Sequence, residues 1–283
     1  MSFLHSEQTG IAYLSSGAAE RPVVLCLHGF PDIPRTWTLL TDRLCEAGFR
    51  VVSPWLPGYA PSDLEGPMDV PTVTDRILTL AEELSPTEPI RVVGHDWGSV
   101  IAQCMLALEP ARFHAAAILA LPHLLSFESN LPKYPRQLRR SAYMALFQLP
   151  VVSDRIVSRN DYRFVERLWS AWSPGFDPGS GYFDELKKCL RASMPAPLEY
   201  YRAIASPKVI RRLRATLAES IVVPTLYLHG ERDGCVGPEM AEGQNKHFSA
   251  LFDSVHLIDA GHVLHLEQPQ EVSEAVLAWF EAH

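Results

Sequence analysis

One tight turn, Gly94-His95-Asp96-Trp97-Gly98, constrains this chain more than any other feature of its sequence. The residues before it, 90–93, are typical of a short buried strand, and those after it, 97–108, are typical of a mostly apolar helix. A strand that turns sharply into a helix needs small residues on both sides of the apex, and the two flanking glycines supply them. We therefore expect the side chain of Asp96 to stand at the apex, at the N-terminus of the helix.

A carboxylate at such an apex supports one kind of chemistry. Asp96 is ionised at neutral pH and needs no base before it attacks, unlike a serine in the same place. Because attack on an acyl group would give a reactive anhydride, the useful target is a saturated carbon that bears a leaving group. An ordinary helix N-cap is a common alternative role for aspartate, but it does not account for the partners that follow downstream.

An acid and a histidine follow at the ends of two later predicted strands. Asp233 lies in the polar turn after the predicted strand 225–230, and His262 lies in the loop after the predicted strand 254–259. The order Asp96, Asp233, His262 is that of nucleophile, acid and base behind a sharp strand-to-helix turn. We predict these three residues as catalytic.

The segment His-Gly-Phe-Pro at residues 28–31 ends another apolar predicted strand, 22–27. An oxyanion hole needs two backbone N–H groups directed at one point, and we assign them to Phe30 and Trp97. Pro31 has no N–H and can take the cis form, which would fix how Phe30 presents its own N–H.

Together these segments resemble the α/β-hydrolase superfamily and, within it, the branch of epoxide hydrolases and haloalkane dehalogenases. The resemblance covers nearly the whole chain and implies an α/β-hydrolase fold, a mainly parallel sheet flanked by helices with an inserted helical lid. It also implies a two-step reaction, in which Asp96 forms an alkyl ester with substrate and His262, oriented by Asp233, activates the water that hydrolyses it. Neither a cofactor nor a metal is expected, since no two histidines have ligand-pair spacing beside a carboxylate motif.

The strand signals stop after residue 121 and resume near 221. This predicts a core of residues 1–121 and 221–283 and an inserted helical lid of residues 122–220. A lid over the strand ends would form an apolar pocket above Asp96 and exclude bulk water. The tryptophans that we expect around this pocket are Trp37, Trp169 and Trp172.

Two lid segments, 141–148 and 198–202, resemble those that carry the paired tyrosines of epoxide hydrolases. By that resemblance Tyr143 and Tyr201 donate hydrogen bonds to the epoxide oxygen, and Tyr200 is an alternative to Tyr201. The other lid tyrosines are expected to pack with their hydroxyls at the surface: Tyr134, Tyr162 and Tyr182.

Other functions stay open. A haloalkane dehalogenase would hold a halide with N–H donors, and the indole of Trp97 could be one of them. The second donor is often an asparagine where this chain has Phe30, although Trp169 or Trp172 could substitute. Haloacid dehalogenases of the fluoroacetate type place an arginine after the nucleophile, where Trp97 stands. A non-catalytic binding protein with this fold is the third alternative, disfavoured because binding alone does not need all five predicted groups.

A net charge of -8 disfavours nucleic acid and anionic membranes as partners. The sequence contains neither a leader-like N-terminus nor an apolar run near the roughly 20 residues of a membrane span. Five cysteines without paired metal spacing favour free thiols in a reducing compartment, and Cys235 is expected to pack as a small hydrophobe. We therefore expect a cytoplasmic protein that takes a small apolar epoxide and water as substrates, and a homodimer is compatible with the sequence.

Overall fold

Eight strands form one sheet at the centre of the computed structural model, which describes residues 2–283. Their bounds are β1 Ser2–Ser6, β2 Ile11–Ser16, β3 Val23–Leu27, β4 Arg50–Pro54, β5 Ile90–His95, β6 Phe113–Leu119, β7 Thr225–Gly230 and β8 Phe252–Leu257. The spatial order is β1-β2-β4-β3-β5-β6-β7-β8. The first two neighbouring pairs are antiparallel and the other five are parallel, so the mainly parallel sheet predicted from the sequence is present.

The helices cover both faces of the sheet. Their bounds are α1 Thr38–Glu46, α2 Val70–Leu84, α3 Trp97–Leu108, α4 Leu124–Asn130, α5 Pro135–Arg140, α6 Ala142–Phe147, α7 Val152–Trp172, α8 Ser180–Ser193, α9 Ala196–Ala203, α10 Pro207–Thr216, α11 Leu264–Glu267 and α12 Pro269–Ala282. Helices α4 to α10 all lie between β6 and β7 in the chain, where the sequence predicts the lid. Within residues 2–283 no helix is long and apolar enough to cross a bilayer.

Strand β3 shows how the sheet divides the core. All five of its residues are buried, as expected for a parallel strand covered on both faces. Because successive side chains point to opposite faces, Leu25 and Leu27 join the apolar cluster that includes α3 and the lid, whereas Val24 and Cys26 join the cluster formed with α1 and α12. The cavity that contains Asp96 lies on the lid side.

Helix α2 begins at Val70, directly after a capping aspartate. Its N-cap is Asp69, whose side chain accepts hydrogen bonds from the N–H and the hydroxyl of Thr72 at 3.1 and 2.9 Å. Pro71 therefore lies in the first turn, where a missing N–H costs little.

The predicted strands agree with the structure to different degrees. β7 has the predicted bounds, whereas β8 begins and ends two residues before the predicted segment 254–259. β1 and β6 were not predicted. The run of alanines at 115–117 in β6 favours a helix by intrinsic propensity, but pairing with β5 on one side and β7 on the other holds it extended.

Candidate active site

Asp96 stands between β5 and α3 with φ 54° and ψ −117°, a conformation rare for a residue with a side chain. Close packing of two glycines makes this turn possible. A Cβ atom on Gly98 would lie 2.1 Å from the carbonyl oxygen of Leu27, and one on Gly94 would lie 2.4 Å from the carbonyl oxygen of Gly98. The glycines that flank the apex are therefore a steric requirement of the turn.

Asp233 and His262 follow β7 and β8 and meet Asp96 in one buried cluster. His262 Nδ1 lies 2.8 Å from Asp233 Oδ2, and His262 Nε2 lies 3.6 Å from Asp96 Oδ2. Asp233 Oδ1 accepts hydrogen bonds from the backbone N–H groups of Cys235 and Val236 at 2.6 and 2.8 Å. The imidazole thus lies between two carboxylates, one of which is held by backbone donors.

Opposite charges dominate this cluster. Burial disfavours the charged form of His262, but Asp233 and Asp96 outweigh burial and raise its pKa to about 10. Burial also opposes ionisation of Asp96, yet the hydrogen bond and charge of His262 hold the pKa of that carboxyl below its usual value. The two shifts act in the same direction, since each favours an ionised carboxylate beside a protonated imidazole.

The turn after β3 contacts the other oxygen of Asp96. The N–H of Phe30 donates to Asp96 Oδ1 at 2.8 Å, and the peptide bond between Phe30 and Pro31 is cis. A Cβ atom on Gly29 would lie 2.4 Å from the Cβ of Asp96, so only glycine permits this approach. Oδ1 is thereby held, while Oδ2 faces His262. Trp97, the other predicted oxyanion donor, is the first residue of α3.

The two predicted lid tyrosines lie in the wall of the cavity that contains Asp96, with ring centroids 5.7 Å apart. The hydroxyl of Tyr201 is buried and has no hydrogen-bond partner among residues 2–283. The hydroxyl of Tyr143 lies 3.7 Å from Cys235 Sγ. Tyr200, the alternative to Tyr201, donates its hydroxyl to the carbonyl oxygen of Pro57 at 2.7 Å and lies outside the cavity wall.

The cavity has a volume of about 220 Å³ and a mostly apolar wall. Besides Asp96, Trp97 and the two tyrosines, the apolar part of that wall contains Val100, Leu121, Leu124, Phe127, Leu131, Met144, Ile204, Ile210, Leu213 and Val236. The wall also includes Glu128, whose carboxylate accepts from the Arg214 guanidinium at 2.8 Å. Such a cavity suits an apolar molecule of modest size.

The predicted pocket tryptophans do not line this cavity. Trp37 is fully buried on the opposite face of the sheet, in the cluster with α1 and α12. Trp169 donates its indole N–H to the carbonyl oxygen of Pro31 at 3.1 Å. Trp172 packs edge-on against His262, with ring centroids 5.3 Å apart. The prediction is therefore wrong for all three as lining residues, because sequence spacing does not reveal which face of a fold an aromatic ring covers.

Tyr182 also differs from its prediction, because its hydroxyl is buried and donates to Asp32 Oδ1. That oxygen also accepts from the N–H of Ile33 at 2.8 Å. Burial, the largest influence, raises the pKa of Asp32 to about 7. Lid helix α8 is thus anchored to the turn that presents the Phe30 N–H, and an acidic residue directly after an apolar turn is the sequence signal for this link.

Two trios of buried side chains bring possible metal-ligand atoms within 4.8 Å of one another: Asp32, His95 and His265, and Asp96, Cys235 and His262. The second trio overlaps the candidate catalytic cluster. In the first, His95 Nε2 donates to the carbonyl oxygen of His262 at 2.9 Å. The expectation that the chain uses no metal stays a prediction.

Comparison with known proteins defines the class. Residues 24–275 match the Alpha/beta hydrolase family, and the chain belongs to that family. Similar sequences include the AB hydrolase superfamily protein YfhM of Bacillus subtilis, 26% identical over 99% of this chain and 97% of the relative. Epoxide hydrolase 3 of Xenopus tropicalis is 25% identical over 97% of this chain and 76% of the relative.

Solved structures share the whole fold. An epoxide hydrolase of Bacillus megaterium in complex with an inhibitor superposes with a TM-score of 0.84 at 24% identity, over 99% of this chain and 100% of the other. Potato (Solanum tuberosum) epoxide hydrolase I superposes with a TM-score of 0.82 at 22% identity, over 100% and 99% of the two chains. The predicted α/β-hydrolase fold and the predicted resemblance to epoxide hydrolases are confirmed.

Proposed function

We propose that this chain is an epoxide hydrolase that converts an epoxide to a vicinal diol through an ester formed on Asp96. One observation carries the proposal: the carboxylate of Asp96 lies in the same apolar cavity as Tyr201, and the hydroxyl of Tyr201 makes no hydrogen bond within the described chain. Epoxide opening needs a nucleophile on one side of the ring and an O–H donor on the other. Similarity to proteins named epoxide hydrolases supports the same reaction.

In the first step, Asp96 Oδ2 attacks an epoxide carbon while the bond from that carbon to the ring oxygen breaks. The electron pair stays on the ring oxygen, which takes hydrogen bonds and then a proton from the pair Tyr143 and Tyr201. Oδ2 is the attacking atom because Oδ1 is held by the N–H of Phe30. This step needs no base, since the carboxylate is already ionised.

In the second step, His262 removes a proton from water, and the water oxygen attacks Cγ of Asp96. Negative charge then develops on Oδ1, where the N–H of Phe30 already points and the N–H of Trp97 is the proposed second donor. The bond from Cγ to Oδ2 breaks, and Oδ2 leaves in the diol with the proton of the new Cγ hydroxyl, which restores the carboxylate of Asp96. Asp233 keeps the imidazole oriented and stabilises its charged form through Nδ1.

Electrostatics sets the order of these steps. In the free protein, two carboxylates hold a proton on His262. Ester formation turns Asp96 into a neutral group, so the pKa of His262 falls when a base becomes necessary. The proton that His262 releases replaces the one that ring opening takes from the tyrosine pair.

The proposed arrangement comprises a core of residues 1–121 and 221–283 and a lid of residues 122–220 that closes the cavity. The apolar wall supports a small apolar epoxide as substrate, with water as the second. All five cysteines are free, which supports a reducing compartment such as the cytoplasm. A homodimer stays a prediction.

A dehalogenase with the same nucleophile is the second candidate. The indole N–H of Trp97 borders the cavity, has no partner in the part of the chain that the structure describes, and could hold a departing halide. A second donor is harder to find, because Phe30 has none in its side chain and the indole N–H of Trp169 is bonded to Pro31. Among the described residues of the cavity wall there is no lysine or arginine, which disfavours haloacids.

Intact-mass measurement of a His262→Gln variant distinguishes these functions, because the ester should form but not break down. Incubation with styrene oxide should add the mass of the whole epoxide to the protein. Addition of an alkyl group from 1-bromobutane, with no adduct from the epoxide, would favour the dehalogenase. Absence of any adduct with either reagent would favour a binding protein.

A further inference from the structure

The site has a core half, with Asp96, Asp233 and His262, and a lid half, with the two tyrosines. Cys235 contacts residues of both the core and the lid through three of its own groups. Its backbone N–H donates to Asp233 Oδ1 at 2.6 Å. Its carbonyl oxygen accepts from Nε2 of Gln137, on lid helix α5, at 2.8 Å. Its Sγ lies 3.7 Å from the hydroxyl of Tyr143, on lid helix α6. One core residue thus contacts both the predicted catalytic acid and a predicted proton donor.

The two lid tyrosines differ in how their hydroxyls are held. The Tyr201 hydroxyl has no partner in the described chain, whereas that of Tyr143 contacts the sulfur of Cys235. The same sulfur lies within 4.8 Å of a carboxylate oxygen of Asp96. Because sulfur is a weak hydrogen-bond acceptor, this contact can orient a phenol without competing strongly for its proton.

We propose that Cys235 is a positioning residue for ring opening: its thiol holds the Tyr143 hydroxyl toward the cavity and releases it when the epoxide oxygen arrives. This inference rests on the proposed function. A serine hydroxyl would compete more strongly for the Tyr143 proton, whereas an alkyl group would leave the phenol without a partner.

The charge state of the thiol fits this role. Burial raises the pKa of Cys235 well above its usual value, so the group stays neutral. A thiolate would repel the carboxylate of Asp96 and would accept the Tyr143 proton strongly. A neutral thiol does neither.

The test is a double-mutant cycle on the rate of ester formation with styrene oxide, measured by rapid quench before steady state. Cys235→Val should slow ester formation about three- to tenfold and leave ester hydrolysis unchanged, as loss of one weak hydrogen bond implies. The substitution should have no effect in a Tyr143→Phe background and its full effect in a Tyr201→Phe background. Cys235→Ala, which adds no volume, should give the same pattern.

Cys26→Val is the matched control, because Cys26 is a buried cysteine in β3 on the opposite face of the sheet. It should form ester at the wild-type rate. An effect of Cys235→Val that persists in the Tyr143→Phe background, or that extends to ester hydrolysis, would assign Cys235 to packing alone and overturn the proposal.

A measurement without substrate separates this inference from the epoxide reaction. The infrared S–H stretching band that disappears in Cys235→Ala should shift in Tyr143→Phe, because the thiol loses its phenol neighbour. An unshifted band overturns the proposal even if the wild-type protein hydrolyses epoxides. If the band shifts in Tyr143→Phe but the wild-type protein forms no ester, the proposed function and the ring-opening role are both overturned, while the contact between Cys235 and Tyr143 stands.

Discussion

The core and lid halves of the site are held in different ways. In the core half, hydrogen bonds fix each group: Asp233 takes two backbone N–H groups and His262, and Asp96 takes the N–H of Phe30. In the lid half, ring packing predominates. The ring of Tyr201 packs edge-on against Phe147 and Trp97, with centroids 5.0 Å away in both cases, and its hydroxyl is left without a partner in residues 2–283.

This difference matches the work that we propose for each half. The core groups must keep their orientation through two chemical steps, and backbone donors provide that persistence. The lid hydroxyls must follow a ring oxygen as it gains charge, and a packed ring with a free hydroxyl can do so. Substitutions in the two halves should therefore affect different steps of the reaction.

The largest effect is expected for Asp96→Ala, which removes the nucleophile and should lower turnover by at least about 10,000-fold. Without Asp96 no ester forms, so His262 has no ester for its activated water to hydrolyse. In single-turnover reaction of the wild-type protein in oxygen-18 water, the first diol should contain no heavy oxygen, because one of its oxygens comes from the epoxide and the other from Asp96. One heavy oxygen in that first diol would mean direct attack by water and would contradict the role proposed for Asp96.

His262→Gln should come next, with turnover reduced about 100- to 10,000-fold while ester formation stays close to the wild-type rate. Stopped-flow measurement of both steps checks this. His265 is a poor substitute, because its ring is stacked on Trp37 and hydrogen-bonded to Thr36. A variant that turns over at the wild-type rate would remove His262 from the proposed base role.

Tyr143→Phe and Tyr201→Phe should each slow ester formation about 100- to 1,000-fold and leave ester hydrolysis nearly unchanged. The double variant should form no measurable ester, because the two phenols act on one oxygen. Tyr200→Phe is the matched control, since its hydroxyl is bonded to Pro57 outside the cavity wall. Rapid-quench measurement with an epoxide decides, and a double variant that reacts at the wild-type rate would rule out the epoxide role of the lid half.

The charges of the core half should also make the free energy of unfolding depend on pH. The pKa of His262 is raised from 6.5 to about 10, so its contribution to the free energy of unfolding is full below the lower value and is lost as pH rises to the higher one. Urea unfolding across this window should show the wild-type protein losing stability relative to His262→Gln. Parallel curves for the two proteins would contradict the raised pKa.

The smallest effect is expected for a residue outside both halves. Asp69→Ala removes the N-cap of α2 and should lower the free energy of unfolding by about 1 kcal/mol. Both chemical steps should keep their wild-type rates, which makes this variant a control for general loss of stability. If either ester formation or ester hydrolysis slows at saturating substrate, the two halves of the site depend on helix α2 more than we propose.

The parts of the molecule that the sequence predicted well depend on local rules. The glycines around Asp96 and the strand before it follow from steric and periodic requirements within a few residues. The bounds of β7 follow from an apolar run closed by a polar turn. Family resemblance added the lid tyrosines, which no local rule would single out.

The errors arose where distant packing decides the outcome. The side of the sheet on which Trp37 lies depends on how α1 packs against α12, about which spacing along the chain says nothing. The buried hydroxyl of Tyr182 depends on Asp32, 150 residues away. The alanines of β6 became a strand only because neighbours on both sides supplied hydrogen bonds.

The hydrogen bond from Phe30 to Asp96 makes the two carboxylate oxygens exchange with water to different extents over repeated turnovers. If Oδ1 stays bound to that N–H through every cycle, only Oδ2 passes into the diol and only its position is refilled from water. After many turnovers in oxygen-18 water, Asp96 should then carry one heavy oxygen and keep one light oxygen from the time of its synthesis. The amount of light oxygen that remains on Asp96 would then measure how rarely its carboxylate rotates between cycles.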